Sequence, residues 1–274
     1  MAFSAATERT GHRPRVRARR TGVVAPCVAV LALVPAAPAR AELRSELRVL
    51  ASYRGGDFGL AARTRIIALP TTFAVISDRQ EFRLTVPYVS VTSDAPVTLV
   101  GDQVIERPGG RGGTESGPGD VVAEEEHYLL AGGGARPWLS ILLAVKLPTA
   151  DEAKGLGTGR PDAGAGMGLI QPLGSRWHLL GEAQYLVLGN PRDFDLRNTL
   201  WLSFGLQRRV SRGASASLSY ERRNSVLHDR PDIAKVGLAY DQGLARRVNL
   251  RAAVFLGLSD SAEDYGLGVG FSVH

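Results

Sequence analysis

Hydrophobic and polar positions alternate through most of this chain with a period of two. From Leu139 to Leu147, residues Leu139, Ile141, Leu143, Val145 and Leu147 share one face, and Ser140, Leu142, Ala144 and Lys146 share the other. A polar, glycine-rich stretch runs from Thr149 to Pro161. Alternation then resumes, with Ala163, Ala165, Met167 and Leu169 against Asp162, Gly164, Gly166 and Gly168. A period of two marks a strand with unlike faces, so the segment predicts a hairpin of long strands. One face needs an apolar surround, while the other carries lysine, aspartate and glycine. A transmembrane β-barrel supplies both environments, with lipid outside and a polar lumen inside.

The pattern repeats along the chain. It predicts strands over Leu43–Tyr53, Ala62–Ile76, Gln80–Thr92, Asp120–Ala131, the two of the hairpin above, Trp177–Leu188, Arg197–Arg209, Ala214–Asn224, Asp232–Tyr240, Arg247–Leu258 and Tyr265–Val273. Pro70 lies inside the second, at a place expected to be a bulge or a barrel rim. About twelve strands result, an even number as single-chain outer-membrane barrels have. Connections alternate in length. Loops 54–60, 94–119, 149–161, 189–196, 225–231 and 259–263 are the longer ones, and the turns near 78, 134, 175, 212 and 243 are short. In outer-membrane barrels the short turns face the periplasm, which places both termini there. The expected fold is therefore all-β: a closed, antiparallel, up-and-down transmembrane barrel.

Aromatic positions test this independently. Tyr88, Tyr185, Tyr220 and Tyr265 have apolar-face parity and fall near the predicted outer strand ends. Trp177, Tyr240 and Phe271 have the same parity near the inner ends. Two aromatic girdles are what a membrane with two interfaces selects. A soluble β-sandwich also alternates, but its outer faces would be charged, and here one face is almost purely apolar in strand after strand.

Composition adjusts the picture at the N-terminus. The formal charge of +6 is local, because residues 1–41 hold seven arginines against the single acid Glu8 and the remaining chain is near neutral. The basic balance therefore gives no argument for nucleic acid. An arginine-rich start, an apolar core over Val23–Val34 and Ala39-Arg40-Ala41 read as a secretory signal over 1–41, with the barrel from 42 to 274. The one cysteine, Cys27, lies inside that signal, so no disulfide framework or cysteine metal site is expected in the barrel. Partners expected on these grounds are outer-membrane lipid, the barrel-assembly machinery of a Gram-negative cell and an unidentified small solute. No cofactor and no metal are expected.

Several motifs occur in order: Val86-Pro87-Tyr88-Val89, Gly119-Asp120 at a strand start, Lys146-Leu147-Pro148-Thr149, and Gly155-Leu156-Gly157-Thr158-Gly159 followed by Asp162. Together they resemble the outer-membrane barrels named for the phenol meta-degradation pathway (MetA-pathway) family, described as transporter-like. The resemblance covers most of Phe82–Met167. It implies an outer-membrane barrel and a channel for small, aromatic or hydrophobic compounds. Glu124-Glu125-Glu126 and the terminal His274 depart from the expected pattern.

The glycine block is not a phosphate loop, since Pro161 and a glycine-alternating strand follow where a helix N-terminus would be needed. Its expected role is loop geometry, involving Pro148, Gly155, Gly157, Gly159 and a locally bonded Asp162. Inward parity falls on Glu81, Arg83, Lys146, Glu182, Glu221, Arg223, Lys235, Arg247 and Arg251. Charges inside a barrel are paired or hydrated. These residues either brace the wall through cross-strand ion pairs or form a constriction that selects solutes. Gly164, Gly166, Gly168, Ser215, Ser217, Ser219, Gly266, Gly268 and Gly270 make the inner wall thin on one side, with partial occlusion by loop 94–119 expected. Glu124–Glu126 cannot all face the lumen and is expected at the outer rim. His127, His178, His228 and His274 form no His-x-Ser dyad, and no catalytic role is expected. Three functions remain to be weighed: a porin-like channel, a plugged structural barrel and a lipid-modifying enzyme.

Overall fold

The computed structural model describes residues 43–274 apart from 108, 110 and 192; the expected signal and Cys27 fall outside them. Fifteen strands are present among the described residues: β1 (Arg44–Gly56), β2 (Thr64–Ile76), β3 (Gln80–Ser93), β4 (Val97–Val100), β5 (Gln103–Glu106), β6 (Gly113–Pro118), β7 (Val121–Leu130), β8 (Trp138–Leu147), β9 (Asp162–Leu173), β10 (Trp177–Val187), β11 (Thr199–Ser211), β12 (Ala214–Arg223), β13 (Ile233–Ala245), β14 (Val248–Gly257) and β15 (Tyr265–Val273).

Each wall strand pairs antiparallel with its sequence neighbour, and β1 pairs with β15 to close the cylinder. Closure removes the sheet edges that lipid could not hydrate. The wall has twelve staves, because β6 and β7 share one. β7 pairs with Gln80–Thr85 of β3, and β6 pairs with Tyr88–Ser93. The break falls at Gly119-Asp120, where Gly119 N–H donates to Pro87 O at 2.9 Å. A Cβ on Gly119 would meet the Pro87 ring at 2.9 Å, so glycine lets the two half-strands meet over that proline. The barrel end bearing the long loops is called outer below, and the end bearing the short turns inner.

Apolar side chains cover the outside. Leu143, Leu218 and Val269 are 48%, 53% and 58% exposed; Tyr185, Tyr220, Tyr265, Trp177 and Phe271 are exposed near the strand ends, and Tyr88 and Tyr240 are exposed within β3 and β13. Inward neighbours such as Glu81, Arg83, Ser140, Lys146, Ser203 and Gln207 are buried. Burial is thus inverted relative to a soluble protein, and only a hydrocarbon surround makes that arrangement stable.

Four expectations are corrected. The stretch 94–119 is not loop alone, since it holds β4, β5 and the wall segment β6. Glu124–Glu126 lies within the wall, opposite Arg83, Phe82 and Glu81 in the inner half of β3, because β6 already fills the outer half of that stave. Pro70 is at neither a bulge nor a rim. It sits mid-strand opposite Pro87, and the β1–β2 register continues from Val49↔Thr71 to Ser52↔Ala68 across the rungs it leaves unmade. β13 runs to Ala245 with a register shift, which moves the turn to Arg246-Arg247 and takes Arg247 out of the lumen to an exposed position.

Candidate functional site: the lumen

The β4–β5 hairpin reaches across the outer mouth, from the β2–β3 wall to the residues around Arg223 and Val226. Its turn is Gly101-Asp102, with Gly101 at φ 64°. A left-handed glycine in the first position of a two-residue loop suits a tight hairpin. Seven of the eight strand residues are buried, on both faces. Val97, Leu99 and Val104 join Ile66, Ala68, Val89 and Val91 of the β2–β3 inner wall, with Phe58, Leu60, Ala150 and Leu156 from the loops. Val100 and Ile105, on the other face, join Leu196 and Val226 from the loops across the mouth. Burying five aliphatic side chains is worth on the order of 10 kcal/mol before the cost of ordering the loop. Packing of this size makes the hairpin a fixture of the resting state.

Its tip is latched to the far wall. The Asp102 carboxylate meets Arg223 and lies 3.6 Å from Lys235, while its backbone oxygen accepts from Arg54 Nη1 at 2.8 Å. Lys235 also reaches Glu221 at 3.4 Å and Glu263 at 3.6 Å. Gln103 donates to Ser225 Oγ and accepts from Val226 N–H, both at 3.0 Å. Burial pushes the Asp102 carboxyl upward, but Arg223, Lys235 and Arg54 outweigh it and hold the group well below the usual carboxylate range. A narrow cleft remains between tip and wall, lined by Asp102, Trp201, Glu221, Arg223, Ile233 and Lys235.

The motif residues of the sequence form one knot beneath the hairpin. Lys146 Nζ is 2.8 Å from Asp162, 3.1 Å from Asp120 and 3.2 Å from Thr158 Oγ1, all buried or nearly so. Asp162 Oδ1 also accepts from Gly189 N–H at 2.9 Å, so its bonding joins two loops rather than staying local. Gly155 has φ 71°, and a Cβ there would run into Val97 O, so only glycine lets this loop lie against β4. Its carbonyl accepts from Leu99 N–H at 2.9 Å. Gly157 abuts the Asp120 carboxylate and Gly159 has φ 64°, while Pro148 is exposed. The glycine block is therefore a clamp on the hairpin.

The inner half is built differently. Arg48 bonds Glu46 at 2.8 Å and reaches Glu81 at 3.1 Å. Arg83 is 3.2 Å from Glu126, 3.5 Å from Glu124 and 3.6 Å from Glu81. Ser140 Oγ donates to Glu126 at 2.8 Å, and Gln184 donates to Glu182 at 2.6 Å. Glu182 faces the same belt as Arg83, Glu124 and Glu126. Among the described residues, five carboxylates thus share this belt with two guanidinium groups. Nearer the inner end, Arg251 pairs with Asp241 at 3.1 Å, and His178 is buried facing inward.

The inward-parity residues divide accordingly. Glu81, Arg83 and Glu182 meet in the inner belt; Glu221, Arg223 and Lys235 meet around the hairpin tip; Lys146 belongs to the knot; Arg251 makes a separate pair; Arg247 lies in a turn. Sequence reasoning missed Asp102, Glu46, Arg48 and Glu263. For Asp102 a signal existed, in the Gly-Asp pair flanked by apolar runs inside an otherwise polar loop.

No family model matches the chain, and no curated protein matches it in sequence. Its fold is similar to solved structures. An outer membrane channel from Pseudomonas putida F1 is similar at TM-score 0.65 and 14% identity, over 87% of this chain and 96% of that one. The β domain of the Bordetella autotransporter BrkA is similar at TM-score 0.50 and 13% identity, over 84% and 98%. The NanC porin is similar at TM-score 0.50 and 8% identity, over 83% and 99%. A channel, an autotransporter domain and a porin thus share this architecture, so the likeness establishes an outer-membrane barrel fold and leaves function to the lumen.

Proposed function

We propose that this chain is an outer-membrane channel for small solutes, closed at rest by the β4–β5 hairpin and favouring cations in its inner half. The observation that carries this is the inner belt: among the described residues, Glu81, Glu124, Glu126 and Glu182 gather around the Arg83 guanidinium. Bracing a wall needs matched pairs. A surplus of acid on one ring of a polar lumen costs stability and supplies what a cation path needs. The reading takes residues 1–41 as an export signal to the outer membrane of a Gram-negative cell. It places the long loops outside and assigns the barrel no catalytic role. It also carries the family resemblance with it, so that aromatic or hydrophobic solutes bearing an amine are the first class to try.

Reversal potentials of the purified barrel in planar bilayers, under a potassium chloride gradient, test the belt. Cation selectivity that falls several-fold in the Glu124→Gln/Glu126→Gln variant is expected; anion selectivity, or a ratio indifferent to these changes, would refute it. A second reading, a plugged structural barrel, is favoured by the burial of both hairpin faces. It requires a lumen that passes no ions even when the hairpin is gone.

A further inference from the structure

The short turns of the inner end share one composition. The connections 77–79, 131–137, 174–176, 212–213 and 246–247 all carry arginine: Arg79, Arg136, Arg176, Arg212 and the Arg246-Arg247 pair, each exposed. Asp78 is the only acid on these five turns. The loops of the outer end mix the signs, with Asp57, Asp151, Asp229 and Asp260 exposed among their cations. A seventh arginine lies on the lipid-facing surface itself. Arg208 is exposed, shares its side of β11 with Phe204 and Leu206, and pairs across the sheet with Trp177, the first residue of β10. Its guanidinium carbon is 5.3 Å from the centre of the Trp177 ring. The next residue, Arg209, donates its N–H to Arg176 O at 2.7 Å and so holds the 174–176 turn against the same strand. Among the described residues, none of these seven arginines forms an ion pair.

A tryptophan at the end of a lipid-facing strand sits at the membrane–water interface, where the headgroups are. Arg208 is held beside it by a cation–π contact, which fixes a guanidinium at that depth. Carboxylates are absent around it, so the anion within its reach is the phosphate of a lipid, which a guanidinium fork matches bidentately. The remaining arginines identify the partner further. They are spread over five turns around the barrel instead of being gathered on one side. A soluble protein docks on a patch, whereas lipid surrounds the whole circumference, and cations at a bilayer surface draw anionic lipid toward them. This placement rests on the orientation taken in the proposed function, with the short turns at the inner leaflet.

We propose that the inner rim is a binding surface for anionic phospholipid, with a headgroup phosphate seated on Arg208 beside Trp177 and the turn arginines holding further such lipids around the barrel. Electron paramagnetic resonance of the barrel in phosphatidylcholine bilayers at low ionic strength tests it. The barrel is probed with trace spin-labelled phosphatidylglycerol or, in parallel, spin-labelled phosphatidylcholine. The fraction of label immobilised on the protein is expected to show at least a threefold preference for phosphatidylglycerol. Arg176→Gln/Arg208→Gln/Arg212→Gln is expected to cut that preference at least twofold. Arg63→Gln/Arg65→Gln/Arg160→Gln, which removes three exposed cations at the outer end, is expected to leave it in place. Heat-modifiable gel migration reports that each variant has folded. No preference in the unaltered barrel, equal losses in the two triple variants, or a preference abolished by millimolar inorganic phosphate at constant ionic strength would each overturn the proposal. None of these readouts depends on whether the lumen conducts, so reversal potentials test the channel separately.

Discussion

The two halves of the lumen are held by opposite kinds of physics. The outer half has an apolar core, formed where Val97, Leu99, Val100, Val104 and Ile105 fill the space between wall and loops. It resembles the interior of a soluble protein set in the mouth of a barrel, with its most buried charges at the hairpin tip and in the Lys146 knot. Among the described residues the inner half has no such core. Its wall is tied by Arg48 and Arg83 to an excess of glutamates. Apolar burial is strong and non-directional, so it makes a stopper. Ionic belts are hydratable and directional, so they line a path. On the proposed function, one barrel separates closing from selecting along its length.

The outer half is held by its apolar core but not by that alone, and the Lys146 knot tests how much its buried charges add. Lys146→Met leaves Asp120 and Asp162 facing each other without their cation. Breaking a buried pair from one side costs about 3–5 kcal/mol. A clear fall in the unfolding midpoint of the refolded barrel, measured by gel mobility against urea, is expected.

Leu99→Ala sharpens the comparison on the apolar side. A buried leucine cut to alanine costs about 2–5 kcal/mol. Here the loss should appear locally, as faster hydrogen exchange of the hairpin amides, including the Leu99 N–H that donates to Gly155 O. The β7–β8 amides beside the inner belt should keep their protection.

Much of this was legible beforehand, for a physical reason. Wall strands such as Ala214–Arg223 and Tyr265–Val273 separate lipid from lumen, so their alternation is nearly pure and the stave count and girdles follow from it. The hairpin has no such interface. Both its faces are buried, and its partners Phe58, Leu196 and Val226 are remote in sequence, so Val97–Glu106 carries no period-two signal. β6, Gly113–Pro118, rises beyond the apolar belt and has no greasy face to betray it. Without β6, nothing placed Glu124–Glu126 in the inner half. Lys146 was legible as inward, but the knot around it was not, because Asp120, Thr158 and Asp162 converge from three separate segments.

The smallest effect belongs to the latch. The Asp102 carboxyl is held below its ordinary value by Arg223 and Lys235 against the opposing effect of burial. Its contribution is therefore complete above the unfolded value of about 3.9 and is lost only as pH falls through the depressed folded value. Hairpin exchange rates, once corrected for the intrinsic pH dependence of amide exchange, should be flat from about pH 8 to 5 as far as this group is concerned. Asp102→Asn should raise them modestly across that whole range. A rise in the unaltered protein between pH 7 and 5 that vanishes in Asp102→Asn would contradict the assignment.

Single-channel conductance without the hairpin decides whether a stopper closes a conducting lumen. Arg107 N–H meets Pro96 O at 3.0 Å, so residues 96–107 can be replaced by two glycines at that neck while β6 stays in the wall. At least a tenfold rise in conductance is expected, with the current carried mainly by cations. A folded barrel that stays electrically silent after this excision would contradict it.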